Sequence, residues 1–339
     1  MVSTEDLINQ LGSFWKSKRD EAIDKLTRAG VKKPKKVVPA LIGAMGNDKE
    51  RIRENARLVY DRIANRIDIV SVILRSLGHG EFLWKGAGPT TGIGGVAVGK
   101  LGDQNVIAAG SLDNKVYVWD DMGTQIWVGE APESEVRGVA IGSLGKKDVV
   151  VGAALNVYVW DQNGNLLWQA DDPDFSVIGV AIGKLGGVDV VAAGSADSNV
   201  YVWDEFGNLL WVVKNAGDDV NGVDIGEIAG YQVVVGGSSD RNVYMWDAYG
   251  RLIWIGTEPL REVYGVTVGT LGEHEVIVAG SADGRVYVWD ESGEILWVAK
   301  EPEGGVGGVA VGKISGQDMV VAESEDGNVY VWDEDGNLL

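Results

Sequence analysis

The chain has no cysteine, only two histidines, four phenylalanines and seven prolines in 339 residues. Without cysteine there is no disulfide framework, thiol nucleophile or cysteine metal site, and a cytoplasmic protein is expected. Two histidines, His79 and His274, speak against serine–histidine catalysis and histidine-rich metal sites. Each reads as a solvated loop residue. No apolar run is long enough to cross a bilayer, and no secretory leader is expected. The glycine-rich stretches are not followed by Gly-Lys-Ser or Gly-Lys-Thr, so no phosphate loop is implied. Carboxylates abound, but glycoside hydrolysis needs one special pair at a defined separation, and none stands out. The chain is read as no enzyme, with no cofactor and no metal.

What is present is tryptophan and glycine, 13 and 49 residues, in a strict repeat. Val-Tyr-Val-Trp-Asp, or Val243-Tyr244-Met245-Trp246-Asp247 in one copy, ends in Trp119, Trp160, Trp203, Trp246, Trp289 and Trp332, spaced 41, 43, 43, 43 and 43 residues apart. A period of this size marks a repeat architecture. Each period holds four strand-like runs, in the third copy 179–183, 190–194, 200–203 and 208–213, rich in residues that favour pleated surfaces. The runs lack a polar face, so both faces of each sheet should be covered by neighbouring sheets. Asp-x-x-Gly (Asp204/Gly207 and its copies) fits a hairpin between the third and fourth strands, and Ser-x-Asp (Ser195/Asp197) a tight turn before the third.

Charge divides the chain. Residues 1–78 hold 16 Lys+Arg and 10 Asp+Glu; the remainder holds 14 basic and 40 acidic residues, a net of −26. We therefore expect a basic helical domain over 1–78 and an acidic repeat domain over 79–339. Helical stripes run through Phe14, Trp15, Ala22, Ile23 and Leu26, capped at Ser13 and stopped at Gly30. Others run through Val37, Val38, Leu41, Ile42 and Met45, and through Ile52, Ala56, Val59 and Ile63, with a fourth helix from Ile67 to Leu77. The segments 37–42 and 52–58 resemble a HEAT-type helical hairpin, which implies a docking surface. The basic cluster Lys32, Lys33, Lys35, Lys36, Arg51, Arg53, Arg57, Arg62 and Arg66 opens nucleic-acid binding as an alternative, though a solvated helical face is the simpler reading.

The repeat resembles the tryptophan-docked repeat of PQQ-like propellers, the WD repeat in its Trp-Asp ending, and FG-GAP-type repeats over 179–191. Resemblance implies a six-bladed β-propeller of four-stranded antiparallel blades, following a HEAT-like helical domain. It carries over no cofactor or calcium ligands: no matching pocket set is found, and Gly183-Lys184-Leu185-Gly186-Gly187 offers too few oxygens. Because Leu339 stops short of a last outer-strand tryptophan, a strand near Trp84 (81–86) is expected to close the ring, unless the natural chain continues. The residue before the inner-strand glycine varies inside a repeated frame: Gly94, Arg137, Ile178, Asn221, Tyr264 and Gly307. Asp224 and Thr267 replace an otherwise common alanine. With acidic fourth-to-inner loops beside them, Arg137, Phe175, Ile178, Asn221, Asp224, Leu260 and Tyr264 are the candidate partner-binding residues, since aromatics and arginine dominate hot spots. The expected partner is a protein with a basic segment. A small ligand or glycan at the channel mouth is the alternative, and the opposite charges of the domains permit salt-sensitive self-association.

Overall fold

The computed structural model describes residues 3–11, 16–32, 84–314 and 316–339, together with Val37, Ala40, Leu41, Ala44, Ile52, Asn55, Ala56 and Val59. It divides into two compact units, Met1–Gly86 and Ala87–Leu339.

The first unit contains helices α1 (Thr4–Leu11) and α2 (Lys16–Lys32). Helix α1 is additional to the helices expected from the sequence, although Ser3 and Asp6 mark its start. The Asp6 amide donates to Ser3 Oγ at 3.1 Å and the Ser3 amide to Asp6 Oδ2 at 3.2 Å, a reciprocal cap. Gly30 does not stop α2, which runs on to Lys32. A glycine inside a helix costs only about 1 kcal/mol relative to alanine, and the buried stripe of Ala22, Ile23 and Leu26 outweighs it. Leu7, Leu11, Val37, Leu41, Ala44, Ile52, Ala56 and Val59 are buried too, and Asn55 Nδ2 donates to the Leu11 carbonyl at 3.2 Å. Ser13, Phe14, Trp15, the expected helix over 67–77, His79 and most of the basic cluster lie outside the described residues.

The second unit is a six-bladed propeller of antiparallel sheets in simple meander order. The inner strands are Ile93–Leu101, Gly138–Leu144, Val177–Leu185, Val220–Ile228, Val263–Leu271 and Val306–Ile314. Each packs beside the next, from blade 1 through blade 6. In blades 1–5 the Val-Tyr-Val-Trp strands are buried on both faces, whereas in blade 6 Val329 is exposed and only Trp332 of the run is buried. Tyr201 stacks on Trp203 with ring centroids 5.7 Å apart, and every other blade repeats the pair.

Glycine sets how close the blades come near the axis. A Cβ on Gly179 would sit 2.7 Å from the Asn221 carbonyl oxygen, and one on Gly222 would sit 2.7 Å from that of Tyr264. Gly138 meets Ile178 in the same way. The glycines therefore admit the neighbouring backbone, as expected of a crowded axis.

Blades 1–5 have four strands; blade 6 has three. Its outer position is taken by the chain's own end, where Leu338 bridges Trp332 and the Leu339 amide donates to the Val331 carbonyl at 2.9 Å. The closing strand expected over 81–86 is not shown among the described residues, and 81–83 lie outside them. Residues 84–92 are in no strand, and Leu338 and Leu339 already hold the edge it was to fill. The blade-to-blade packing is likewise not repeated between blades 6 and 1. Val96 and Val98 of the first inner strand are 69% and 78% exposed, and a Cβ on Gly312 of the last would meet nothing within 4 Å.

Candidate protein-binding rim

Four-stranded meander blades put two kinds of loop on each rim. The fourth-to-inner loops and the Ser-x-Asp turns share one; the Asp-x-x-Gly hairpins and the inner-to-second turns share the other. The first rim carries the candidate residues, and its acidic groups fall into two populations.

One population is structural. Asp197 accepts the Asn199 amide at 3.0 Å, the Tyr201 hydroxyl at 2.8 Å and, from the preceding loop, the Asp174 amide at 2.9 Å. Asp113, Asp240, Asp283 and Asp326 tie Thr90, Gly217, Leu260 and Glu303 in the same way. Burial disfavours the charge on Asp326, but the amides of Glu303 and Asn328, with the Tyr330 hydroxyl, outweigh it and hold its pKa at about 2. Burial above all, helped by Asp197, pushes the Tyr201 phenol up to about 12. Three loop acids serve the next blade's tryptophan. Asp172 accepts Trp203 Nε1 at 2.8 Å, Glu258 accepts Trp289 Nε1 at 3.2 Å, and Glu301 accepts Trp332 Nε1 at 3.1 Å. The equivalent position before Trp246 is Asn215, which is exposed, and Trp246 Nε1 is buried without a partner.

The other population is free of ion pairs among the described residues, although Asp218 Oδ1 accepts the Asp219 amide at 2.9 Å. Asp171, Asp174, Asp218 and Glu303 are exposed, and among the described residues none makes an ion pair. Asp219 has its pKa raised, first by burial and then by the charge of Asp218. A cation brought to the Asp218–Asp219 loop would relieve that repulsion.

The seven candidate residues divide similarly. Phe175 and Leu260 are 62% and 59% exposed at loop tips, and Tyr264 is 37% exposed. Arg137 is exposed and paired with Glu135 at 3.4 Å. Ile178 is half-buried. Asn221 and Asp224 face inward: Asn221 Nδ2 donates to Ser239 Oγ at 3.0 Å and to the Val263 carbonyl at 2.9 Å. Asp224 Oδ2 accepts from Thr267 Oγ1 and from the Val268 amide, each at 2.9 Å. These two clamp blade 4 to blade 5, so the Asp224/Thr267 departure from alanine is a matched pair across one interface. Burial raises the Asp224 pKa despite those bonds. The candidates span blades 2 to 5, as a surface and not a pocket.

On the opposite rim, fourth-strand tryptophans dock on the next blade. Trp168 packs on Gly207, where a Cβ would lie 2.9 Å from its ring, and donates Nε1 to the Glu205 carbonyl at 3.2 Å. Trp127, Trp211 and Trp297 do the same on Gln162, Ala248 and Glu334. Trp254 is turned instead, edge-on to Trp289 at 5.5 Å. Each hairpin is built as its sequence foretold: Asp204 Oδ1 accepts the Phe206 and Asn208 amides, both at 2.9 Å, and Gly207 takes φ +83°.

Residues 80–120 and 261–290 match the family model described as WD domain, G-beta repeat. Over these two segments, well under half of its length, the chain is similar to WD40 repeats. Both matched segments end on a Trp-Asp third strand, Trp119-Asp120 and Trp289-Asp290. The WD40 propeller is commonly a protein-interaction scaffold, which fits a site made of rim loops. No curated protein matches the chain. Among the described residues no group of histidine, aspartate and glutamate is arranged to hold a metal ion, and no helix is long and apolar enough to cross a membrane. His274 is not in the turn but opens the second strand of blade 5, exposed, with Nδ1 3.2 Å from Glu291.

Proposed function

We propose that this WD40-like propeller is a non-enzymatic protein-interaction scaffold whose fourth-to-inner rim captures a basic segment of a protein partner. One observation carries the reading: exposed Phe175 stands in one loop with Asp171 and Asp174, which make no ion pair among the described residues, and exposed Leu260 lies beside the Arg261–Glu262 pair on the same rim. An apolar anchor beside unpaired acids suits a segment alternating lysine or arginine with apolar residues. Tyr264 and Arg137 extend the contact, Arg137 through carbonyl groups of the partner, and Ile178 adds a half-buried apolar floor. Asn221 and Asp224 hold blades 4 and 5 in register beneath it.

The test is titration of the whole chain with a fluorescein-labelled peptide alternating lysine and leucine, followed by anisotropy. We expect binding that weakens steeply between about 50 and 300 mM salt and falls about tenfold or more in the double variant Phe175→Ser/Leu260→Ser. Folding, followed by tryptophan fluorescence, should stay intact. Equal binding by that variant would remove the anchors, and salt-insensitive binding would remove the electrostatic half of the proposal.

A further inference from the structure

On the opposite rim each blade junction brings together an inner-to-second turn, a fourth-strand tryptophan and the next blade's Asp-x-x-Gly hairpin, and at one junction these wall a groove. Between blades 2 and 3 it encloses about 550 Å³, lined by Leu144, Lys146, Lys147, Trp168, Glu205 and Phe206. The frame is constant, and its contents are not. The positions of Lys146 and Lys147 hold Asp103 and Gln104, Gly187 and Val188, Gly230 and Tyr231, or Glu273 and His274 at the other junctions. Paired lysines occur once, on a domain with a net charge of −26. Phe206, 72% exposed, stands over the same groove.

Blade construction explains the frame but not these side chains. The turn is clasped by Asp189, whose Oδ2 accepts the Gly145 amide at 3.0 Å and whose Oδ1 pairs with Lys184 at 2.5 Å. Asp148, Gln232, Glu275 and Asp318 clasp the other turns similarly. Trp168 is fixed by its bond to the Glu205 carbonyl. Lys146 and Lys147 make no ion pair within 4 Å among the described residues. Lys146 and Lys147 therefore sit at the end of a turn already clasped without them, beside an aromatic that is largely exposed. At Asp161 burial opposes the charge, hydrogen bonds from Asn165 and Asn163 outweigh it, and Lys147 lies near enough to help lower the pKa. A preformed site of this kind binds with little ordering cost.

We propose that this groove is a second docking surface, specific for an acidic–apolar protein segment. An apolar side chain enters between Trp168 and Phe206, and flanking carboxylates meet Lys146 and Lys147. Charge decides the occupant: acidic segments are repelled nearly everywhere else on the propeller, so this groove is where one can dwell. The surface continues to exposed Val188 and Tyr249 at the next junction, which gives an extended segment a second apolar step. Its sign is opposite to that of the other rim, so one propeller would hold two partners of unlike charge.

The probe is a fluorescein-labelled decapeptide alternating glutamate with phenylalanine and leucine, titrated with the full chain. Its control replaces each glutamate by lysine. We expect the acidic peptide to bind, about fivefold or more weakly to Lys146→Glu/Lys147→Glu and to Phe206→Ser, and unchanged with Phe175→Ser/Leu260→Ser. No binding of the acidic peptide at millimolar concentration, or equal binding by the Lys146/Lys147 variant, would overturn the proposal. The basic peptide's behaviour tests only the other rim, so the two readings fail separately. Phe206→Ser and the lysine changes lie at exposed positions, and an unchanged thermal midpoint would confirm that folding is not the cause of any loss.

Discussion

The junction between blades 3 and 4 and the seam between blades 6 and 1 are made from the same repeat and look nothing alike. At the junction, Gly179, Gly183 and Gly194 lie under the next inner strand, and a Cβ on Gly194 would come 2.8 Å from Val220 Cγ1. Val220 is fully buried there and Val223 nearly so. At the seam the counterparts are Gly308, Gly312 and Glu323 on one side, and Ile93, Val96 and Val98, all exposed, on the other. Glu323 is instructive. Gly110, Gly194, Gly237 and Gly280 occupy its position in blades 1, 3, 4 and 5, each against a valine of the following blade. Glutamate is accommodated only where no such valine is seated, and it turns to accept the Gly308 amide at 3.1 Å. Blade 2 carries fully buried Ala153 at this position, so the seated neighbour demands a small residue there, glycine at four of the five junctions.

Moving that glutamate breaks the comparison most severely. Gly237→Glu would drive a carboxylate into Val263, whose Cγ1 would stand 2.6 Å from the new Cβ. Overpacking and an unpaired buried charge together should cost about 4 kcal/mol or more. The reciprocal change Glu323→Gly loses one exposed hydrogen bond and some strand propensity, and should cost under about 1 kcal/mol. Urea midpoints of the two variants measure the asymmetry. Similar costs would mean that blade 6 is as tightly covered in solution as blade 4.

Acid sharpens the comparison from the other side, because turn chemistry is the same at the junctions and beside the seam. Asp161, Asp204, Asp247 and Asp290, and Asp333 of blade 6, all have lowered pKa values. In the first four burial opposes the charge, and hydrogen bonds to the hairpin outweigh it; for Asp333 the Asn337 side chain is the largest cause. A lowered folded-state pKa means that the unfolded chain binds protons more readily. The stability these groups contribute is therefore present above their ordinary value of 3.8 and is lost as pH falls below it, towards about 2 for Asp326. Tyr201 works in the other direction: its contribution is full below pH 10 and lost as pH rises towards 12. We expect hydrogen exchange to rise in blades 2 to 6 together between about pH 4 and 2. Loss of protection in blade 6 alone would show that inter-blade packing, not the hairpins, limits acid stability.

Much of this was legible in advance for a physical reason. Turn aspartates, docking tryptophans and axial glycines act within one period or between adjacent periods, so the repeat displays them six or five times over. The seam was not legible, because it depends on what faces residues 93–98 and 306–323, and no repeat states that. Glu323 was visible as a departure from glycine, yet only the valines opposite the other glycines give it meaning. The candidate rim was half legible. Exposed Phe175 and Leu260 stand where loop residues should, whereas the variation at Asn221 and Asp224 proved to be a private clamp between two blades. Variation within a repeated frame marks recognition only when the side chain points away from the neighbouring blade. Lys146 and Lys147 meet that condition, but they lie far from the acidic rim to which charge and variation in the sequence direct attention.

The smallest expected effect tests whether junctions differ among themselves. Trp203, Trp289 and Trp332 each give Nε1 to a loop acid 31 residues earlier, and those acids precede buried Pro173, Pro259 and Pro302. Before Trp246 the same place reads Asn215-Ala216, and its buried Nε1 is unpartnered. An orphaned buried donor forfeits about 1 kcal/mol or more, and a proline whose backbone is already compatible adds a few tenths. Asn215→Asp should therefore stabilise the propeller by about 1 kcal/mol, and Asn215→Asp/Ala216→Pro by somewhat more. Glu258→Gln, which weakens the bond to Trp289, should lower stability by about 0.5–1 kcal/mol. If Asn215→Asp leaves the urea midpoint unmoved while Glu258→Gln lowers it, the path of loop 214–219 and not its residue type keeps Trp246 unpaired. The junction between blades 3 and 4 would then be the loosest of the internal five for reasons of backbone, and the contrast with the seam would be one of degree.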